Sequence, residues 1–268
     1  MARAARGARR LHAVGIPAQQ RLHLAALLIA LALPFTTPAF AADVSFQPTI
    51  TDADFARFAR LVGQAIYATP VQPARATGFL GFDVGIAATA VPIDDKAAYW
   101  TKSVSGTRLE QSGYLAVPRL VASKGFGAGT LSGTYASRGD IKMYGGSLDI
   151  PLVRGSVATP EIGLRGAYST LRGIESFNMK TYGVEAFISK GFGPVMPYGA
   201  IGRQRNNASG SVDLSNVPVA TAGRSLSDRA NVNRYTAGVR LSLLLPKITV
   251  EATKAEVTSY TAKISFGF

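Results

Sequence analysis

From residue 78 to the last residue, Phe268, apolar side chains return at every second position in one segment after another. The final stretch sets Tyr260, Ala262, Ile264, Phe266 and Phe268 against Thr261, Lys263, Ser265 and Gly267. A period of two with one apolar face describes a strand with lipid or core on one side only. The stretch 78–90 does the same, with Leu80, Phe82, Val84, Ile86 and Ala88 opposite Gly81, Asp83, Gly85 and Thr89. Eight further segments of this kind lie near 112–123, 128–137, 141–152, 161–170, 179–190, 198–204, 232–245 and 248–256, parted by turn residues.

Such a chain must bury or lipidate ten one-sided strands. Hydrophobic residues make up 47% of it, yet outside the first forty residues no run approaches the ~18–20 apolar residues of a spanning helix. If it crosses a membrane, it does so with strands. A soluble β-sandwich shares the glycine-rich, charge-poor composition, but its outer faces would be polar, whereas these are lined by Tyr, Leu and Ile. The pattern therefore predicts an all-β fold: a closed antiparallel transmembrane β-barrel of about ten strands over 76–268, preceded by one short amphipathic helix. Eight or twelve strands fit the weaker segments as well. Parity favours an even number with both barrel ends on one side, and the first and seventh connections are the long ones. Lys124-Gly-Phe-Gly127 recurs as Lys190-Gly-Phe-Gly193, each between two alternating segments, as turns on a common rim with an interfacial aromatic would. Neither is followed by the Lys-Ser/Thr of a phosphate loop.

The closing alternation of Tyr260, Ile264, Phe266 and terminal Phe268 resembles the C-terminal signature strand of bacterial outer-membrane β-barrels. From about residue 76 to 268 the architecture is similar to a small porin-like outer-membrane barrel of an uncharacterised family. That resemblance implies the outer membrane of a Gram-negative cell, export by the Sec route, reading of the last strand by the barrel-insertion machinery, and contact with outer-membrane lipid and lipopolysaccharide. Residues 1–41 read as the matching signal peptide: arginines without acids, the apolar run from Leu24 to Leu33, and Ala39-Phe-Ala41 as a small-x-small cleavage site.

Residues 42–75 have another texture. Thr51-Asp-Ala-Asp54 is a helix start, and Phe55, Phe58, Val62 and Ile66 then repeat at helical spacing up to Pro70. Two readings fit: a plug that enters the lumen or gates the periplasmic mouth, and a leader packed on the rim or the inner-leaflet surface. Pro70, Pro73 and the small residues around them read as a linker.

With apolar faces toward lipid, the inward set contains Asp83, Arg119, Asp149, Glu161, Arg165, Glu185, Arg240, Glu251 and Lys263. In a narrow barrel such charges must pair to offset desolvation, which describes an ion-paired core or a polar path for a small solute. Lys263 is expected to face Asp83 or Glu251. The net charge of +13 falls once the five leader arginines are set aside, leaving 24 basic against 16 acidic residues. No Lys/Arg run with interleaved aromatics remains, so no nucleic acid is expected, and anionic lipid head groups suit the excess better.

Cysteine is absent and both histidines, His12 and His23, precede Asp43. Histidine- and cysteine-based catalysis and thiolate or imidazole metal sites are therefore unavailable after leader removal, and no enzyme activity, metal or cofactor is expected. The functional expectation is a structural component or a narrow, largely closed pore. A passive transporter of small or hydrophobic solutes gated by the N-terminal helix, and a surface adhesin using a long polar loop at 206–228, are the alternatives. Arg138-Gly-Asp140 is accounted for by a tight turn. Oligomeric state is not encoded in any of these patterns.

Overall fold

The computed structural model describes residues 44–73, 78–107, 109–156, 158–212 and 223–268; the expected signal peptide at 1–41 lies outside the described residues. Ten strands form the sheet: β1 (Phe82–Pro92), β2 (Tyr114–Gly125), β3 (Thr130–Arg138), β4 (Ile141–Val153), β5 (Glu161–Ile174), β6 (Phe177–Ser189), β7 (Val195–Val212), β8 (Arg224–Ser242), β9 (Pro246–Lys254) and β10 (Thr258–Gly267). Each is antiparallel to its chain neighbours, and β1 pairs with β10 to close the barrel. At this seam Val84 faces Phe266 and Ala90 faces Tyr260. Phe82 and Phe268 exchange two backbone hydrogen bonds of 3.0 Å, with their rings edge-on at 4.7 Å. Closure leaves no unpaired edge along the band that lipid would surround, where a bare N–H or C=O would find no partner.

The rim that carries the start of β1 and the end of β10 is the terminal rim; the opposite one, reached by the β1–β2 and β7–β8 connections, is the distal rim. Both Lys-Gly-Phe-Gly turns sit on the terminal rim, with Phe126 and Phe192 exposed beside Phe82 and Phe268. Toward the distal side a second belt of outward aromatics consists of Tyr135, Tyr144, Tyr168, Tyr182 and Tyr235. On β4 the outward residues from Leu152 to Tyr144 cover about 20 Å of barrel height at ordinary strand rise and tilt, close to the apolar band of an outer-membrane barrel.

Beyond the tyrosines the pattern changes phase. On β6 the terminal half shows Val184 and Ile188 outward with Glu185 inward, while the distal half shows Asn178 and Lys180 outward with Phe177 and Met179 buried inside. The polar stretch 206–228, expected as a loop, is instead mostly strand: Asn206 to Val212 continue β7, Arg224 to Asp228 begin β8, and Val212 pairs with Arg224. Its outward residues are Asn207, Ser209, Ser211, Ser225 and Ser227 because they stand in water, and its inward ones, Ala208, Val212 and Leu226, pack into an apolar core. Only residues 213–223 connect the two strands. The Arg138-Gly-Asp140 stretch closes β3 onto β4, and Gly139 supplies the left-handed φ of +57° which that tight turn needs.

What fills the distal half is α1 (Asp52–Ile66). Thr51 caps it through a box in which its hydroxyl accepts from the Asp54 amide at 3.1 Å and the Asp54 carboxylate accepts from the Thr51 amide at 3.3 Å. Phe55, Phe58, Val62 and Ile66 are all buried against inward faces of the barrel. Phe58 lies 5.5 Å from the Phe177 ring and 5.7 Å from Trp100 on the short helix α2 (Ala98–Thr101), whose indole donates to the Leu109 carbonyl at 2.9 Å.

Lys102 ties α1 to this connection through Asp54 at 3.0 Å. Partial burial works against the charged carboxylate, but the hydrogen bonds from Lys102 and Thr51 outweigh it and hold Asp54 below the ordinary carboxylate range. A folded-state value below the unfolded one stabilises above the unfolded value and is lost as pH falls through the folded one. The stability gap between wild type and Asp54→Asn is therefore expected to be full at neutral pH and to close below about pH 4, read from emission of Trp100, the single tryptophan of the sequence. A gap unchanged down to pH 2 (about two units below the free carboxylate) would remove Asp54 from the anchoring of α1.

Candidate functional site

The lumen of the terminal half is polar, and the chain itself runs through it. Pro70 and Pro73 stop α1 from continuing, and Tyr67 already takes an extended backbone. Residues 67–73, which include the prolines expected in the linker, then descend as an irregular strap. From the distal to the terminal side, the Tyr67 ring lies 4.3 Å beneath the Arg234 guanidinium, Ala68 packs against Gly145, the Pro70 carbonyl accepts from Lys263 at 2.9 Å, and the Gln72 carbonyl accepts from Arg165 at 3.3 Å. Gly183 leaves room for the strap, since a Cβ there would stand 2.6 Å from the Tyr67 hydroxyl. Val71 packs on Ala87 and Val121 with a φ of +50°, an unfavourable value for a β-branched residue that the surrounding contacts hold in place.

Around the strap, all nine inward charges expected from the sequence are buried. They form two linked groups. In the first, Arg165 grips Asp149 with two hydrogen bonds of 2.7 and 2.8 Å and approaches Glu185 at 3.9 Å, and Glu185 in turn accepts from Arg234 at 3.0 Å. The guanidinium of Arg165 also lies 5.3 Å from the centre of the Phe187 ring. In the second, Lys263 and Lys247 hold the Asp83 carboxylate at 2.6 and 3.3 Å, and Ser265 donates to it at 3.0 Å. Glu251 accepts from Tyr198 at 2.7 Å, and Arg119 donates to Thr89 at 2.6 Å. Glu161 faces inward opposite Ser189 near the terminal rim, and Arg240 lines a small pocket with Asp83, Lys247, Gln72 and Pro73. That space is about 10 Å³, room for one water at most.

Sequence reasoning missed Arg234, Lys247, Tyr198, Gln204 and the strap. Arg234 shares the inward parity of Arg240 and was legible once the β8 pattern was carried back past Tyr235. Gln204 donates to the Gly63 carbonyl at 2.9 Å and accepts from Arg234 at 2.9 Å, joining α1 to the ion pairs. The strap has one signal: from Leu61 to Pro73 the chain has no charged residue, as suits a segment threaded between buried ions. Of the strand read as an assembly signal, Ile264, Phe266 and Phe268 point outward and exposed, while Tyr260 is largely covered.

What the arrangement can do follows from its pairing. Each ionised group in these pairs is held by an opposite charge or a hydroxyl, so the network fills and rigidifies the lumen. Among the described residues no group of three or more metal-ligating side chains gathers.

No family model matches the chain, and no curated protein matches it. Among solved structures it is similar to the N-terminal β-barrel domain of Pseudomonas aeruginosa OprF, at 13% identity over 69% of this chain and 97% of that one, TM-score 0.29. It is also similar to Ail, the attachment invasion locus protein of Yersinia pestis, at 14% identity over 70% and 97%, TM-score 0.32. Neisserial surface protein A matches at 14% identity over 70% and 94%, TM-score 0.28. At these scores the fold rests on the ten ladders of the chain itself.

Proposed function

We propose that the protein is an integral β-barrel of a bacterial outer membrane, exported with residues 1–41 as its leader and closed by its own N-terminal segment, so that it serves as a structural or surface component and not as an open pore. The observation that carries this reading is the strap at 67–73, which passes through the ion-paired lumen below α1, accepts hydrogen bonds there from Lys263 and Arg165, and borders a pocket of only about 10 Å³ near the terminal rim. A solute path would require at least a continuous string of water sites, and the strap occupies that line. The outward apolar band between the phenylalanine and tyrosine belts supports membrane insertion, and the exposed Ile264, Phe266 and Phe268 fit a strand read during assembly. No catalytic role is proposed.

The test is electrical. The chain 42–268, refolded in detergent and added to a planar bilayer, is expected to insert without steady conductance. Sustained open-channel steps from the intact chain would overturn the closed-barrel reading and favour transport with α1 as a hatch.

A further inference from the structure

The buried charges of the described residues are five carboxylates, Asp83, Asp149, Glu161, Glu185 and Glu251, and five cations, Arg119, Arg165, Arg234, Arg240 and Lys263. The lumen is thus close to neutral, and the basic excess of the chain is carried elsewhere. Much of it stands on one outward surface. Lys142 on β4, Arg172 on β5, Lys180 on β6, Arg203 and Arg205 on β7 and Arg229 on β8 are all exposed, all at outward positions, and all on the distal side of the lipid-facing tyrosines or aliphatics of their strands. No outward position on this stretch of the five strands holds a carboxylate. None of the six makes an ion pair within the described residues.

Their arrangement is costly unless an anion is present. Lys142 and Arg172 are direct cross-strand partners, and Arg203 and Arg205 share one face of β7 two residues apart. Like charges opposite one another on a ladder repel. Arg205 pairs with Tyr182 and Arg203 with Val184, so the cations begin at the distal edge of the lipid-facing band, level with the interfacial aromatics. In a bilayer that is head-group level, and guanidinium and ammonium groups there meet phosphate oxygens. The opposite sector, β1 to β3, has the buried Ala90 and Ala116 and the half-buried Pro118 at the corresponding positions of its strands and no such exposed cations there.

We infer that this one-sided collar on β4 to β8 is a binding surface for the phosphate groups of an anionic glycolipid in the leaflet around the distal rim, of the kind that anchors lipopolysaccharide. The inference rests on the outer-membrane reading above. Phosphates seated between Lys142 and Arg172 and along Arg203 and Arg205 relieve the repulsion within each pair. The lipid would thereby be ordered along one flank of the barrel only.

The full chain 42–268 is folded into phosphatidylcholine vesicles containing bisphosphorylated lipid A, extracted in mild detergent, and its bound lipid is counted by native mass spectrometry. Wild type is expected to retain lipid A, with retention falling about a hundredfold when Lys142, Arg172, Arg203 and Arg205 are all changed to Ser. The four side chains stand exposed at head-group level and make no ion pair within the barrel, so the heat-modifiable gel shift of the folded barrel is expected to persist, and Arg203→Lys with Arg205→Lys is expected to keep most of the binding. Equal retention by the fourfold variant, equal retention of lipid A stripped of its phosphates, or full displacement by matched inorganic phosphate would each overturn the collar as a lipid site. Failure to enter vesicles of any composition would instead sink the membrane-barrel reading beneath it.

Discussion

A chain lacking residues 42–73 is expected to lose its heat-resistant folded form in detergent at a far lower temperature than the intact chain, and any barrel it still forms is expected to conduct. Phe55, Phe58, Leu61, Val62 and Ile66 are buried within the distal half, in one apolar core with Trp100, Leu109 and Phe177. At about 1.5–3 kcal/mol for each fully buried large apolar side chain, their removal forfeits on the order of 10 kcal/mol, comparable to the whole stability of many domains. Loss of the strap also removes the carbonyls of Pro70 and Gln72 from Lys263 and Arg165. The measurement is gel mobility after stepwise heating, paired with bilayer recording. A truncated chain as heat-resistant and as silent as the intact one would show that the N-terminal segment neither supports nor seals the barrel.

The second large effect lies at the seam. Asp83 on β1 is held by Lys263 from β10 and by Lys247 from the β9 side, so the two partners are not equivalent. Changing Asp83 to Asn leaves two cations facing each other, one of them buried at 1% exposure, with Arg240 nearby. Removing one member of a buried pair typically costs about 3–5 kcal/mol, and this variant is expected at the upper end. Lys263→Met keeps the Lys247 contact, so its loss is expected to be clearly smaller. Asp83→Leu combined with Lys263→Met is expected to recover part of the deficit, because no uncompensated charge is then left at the site except a partly accessible lysine. Denaturant unfolding of the three variants decides it: Asp83→Asn no worse than Lys263→Met would mean that Lys247 does not share the carboxylate.

The terminal half of each strand was open to reading because its chemistry is one-sided in the familiar sense, lipid outside and ions inside. Asp83, Arg165 and Lys263 stand at inward positions for the same reason that Phe82, Leu164 and Ile264 stand outward. The distal half reads backwards. Around Phe177 and Met179 the inward side is apolar because a helix, not a set of ions, occupies the lumen, and the outward side is polar because water begins there. A pattern that reverses within one strand looks like no pattern, and this is why 206–228 reads as a loop. Arg234 was not hidden in this way: it lies within 232–245 at the inward parity of Arg240. The strap gives still less away, since an irregular segment that packs on all sides has neither period two nor period 3.6.

One consequence of the strap concerns sidedness. Ten strands return a chain to the side from which it set out, but the descent from α1 to β1 adds an eleventh crossing in the same direction as β10. Val44, whose carbonyl accepts from Ser176 at 2.6 Å beside the β5–β6 turn, therefore stands on the opposite face of the barrel from Phe268. Val44 thus opens toward one compartment, and the closing phenylalanine toward the other.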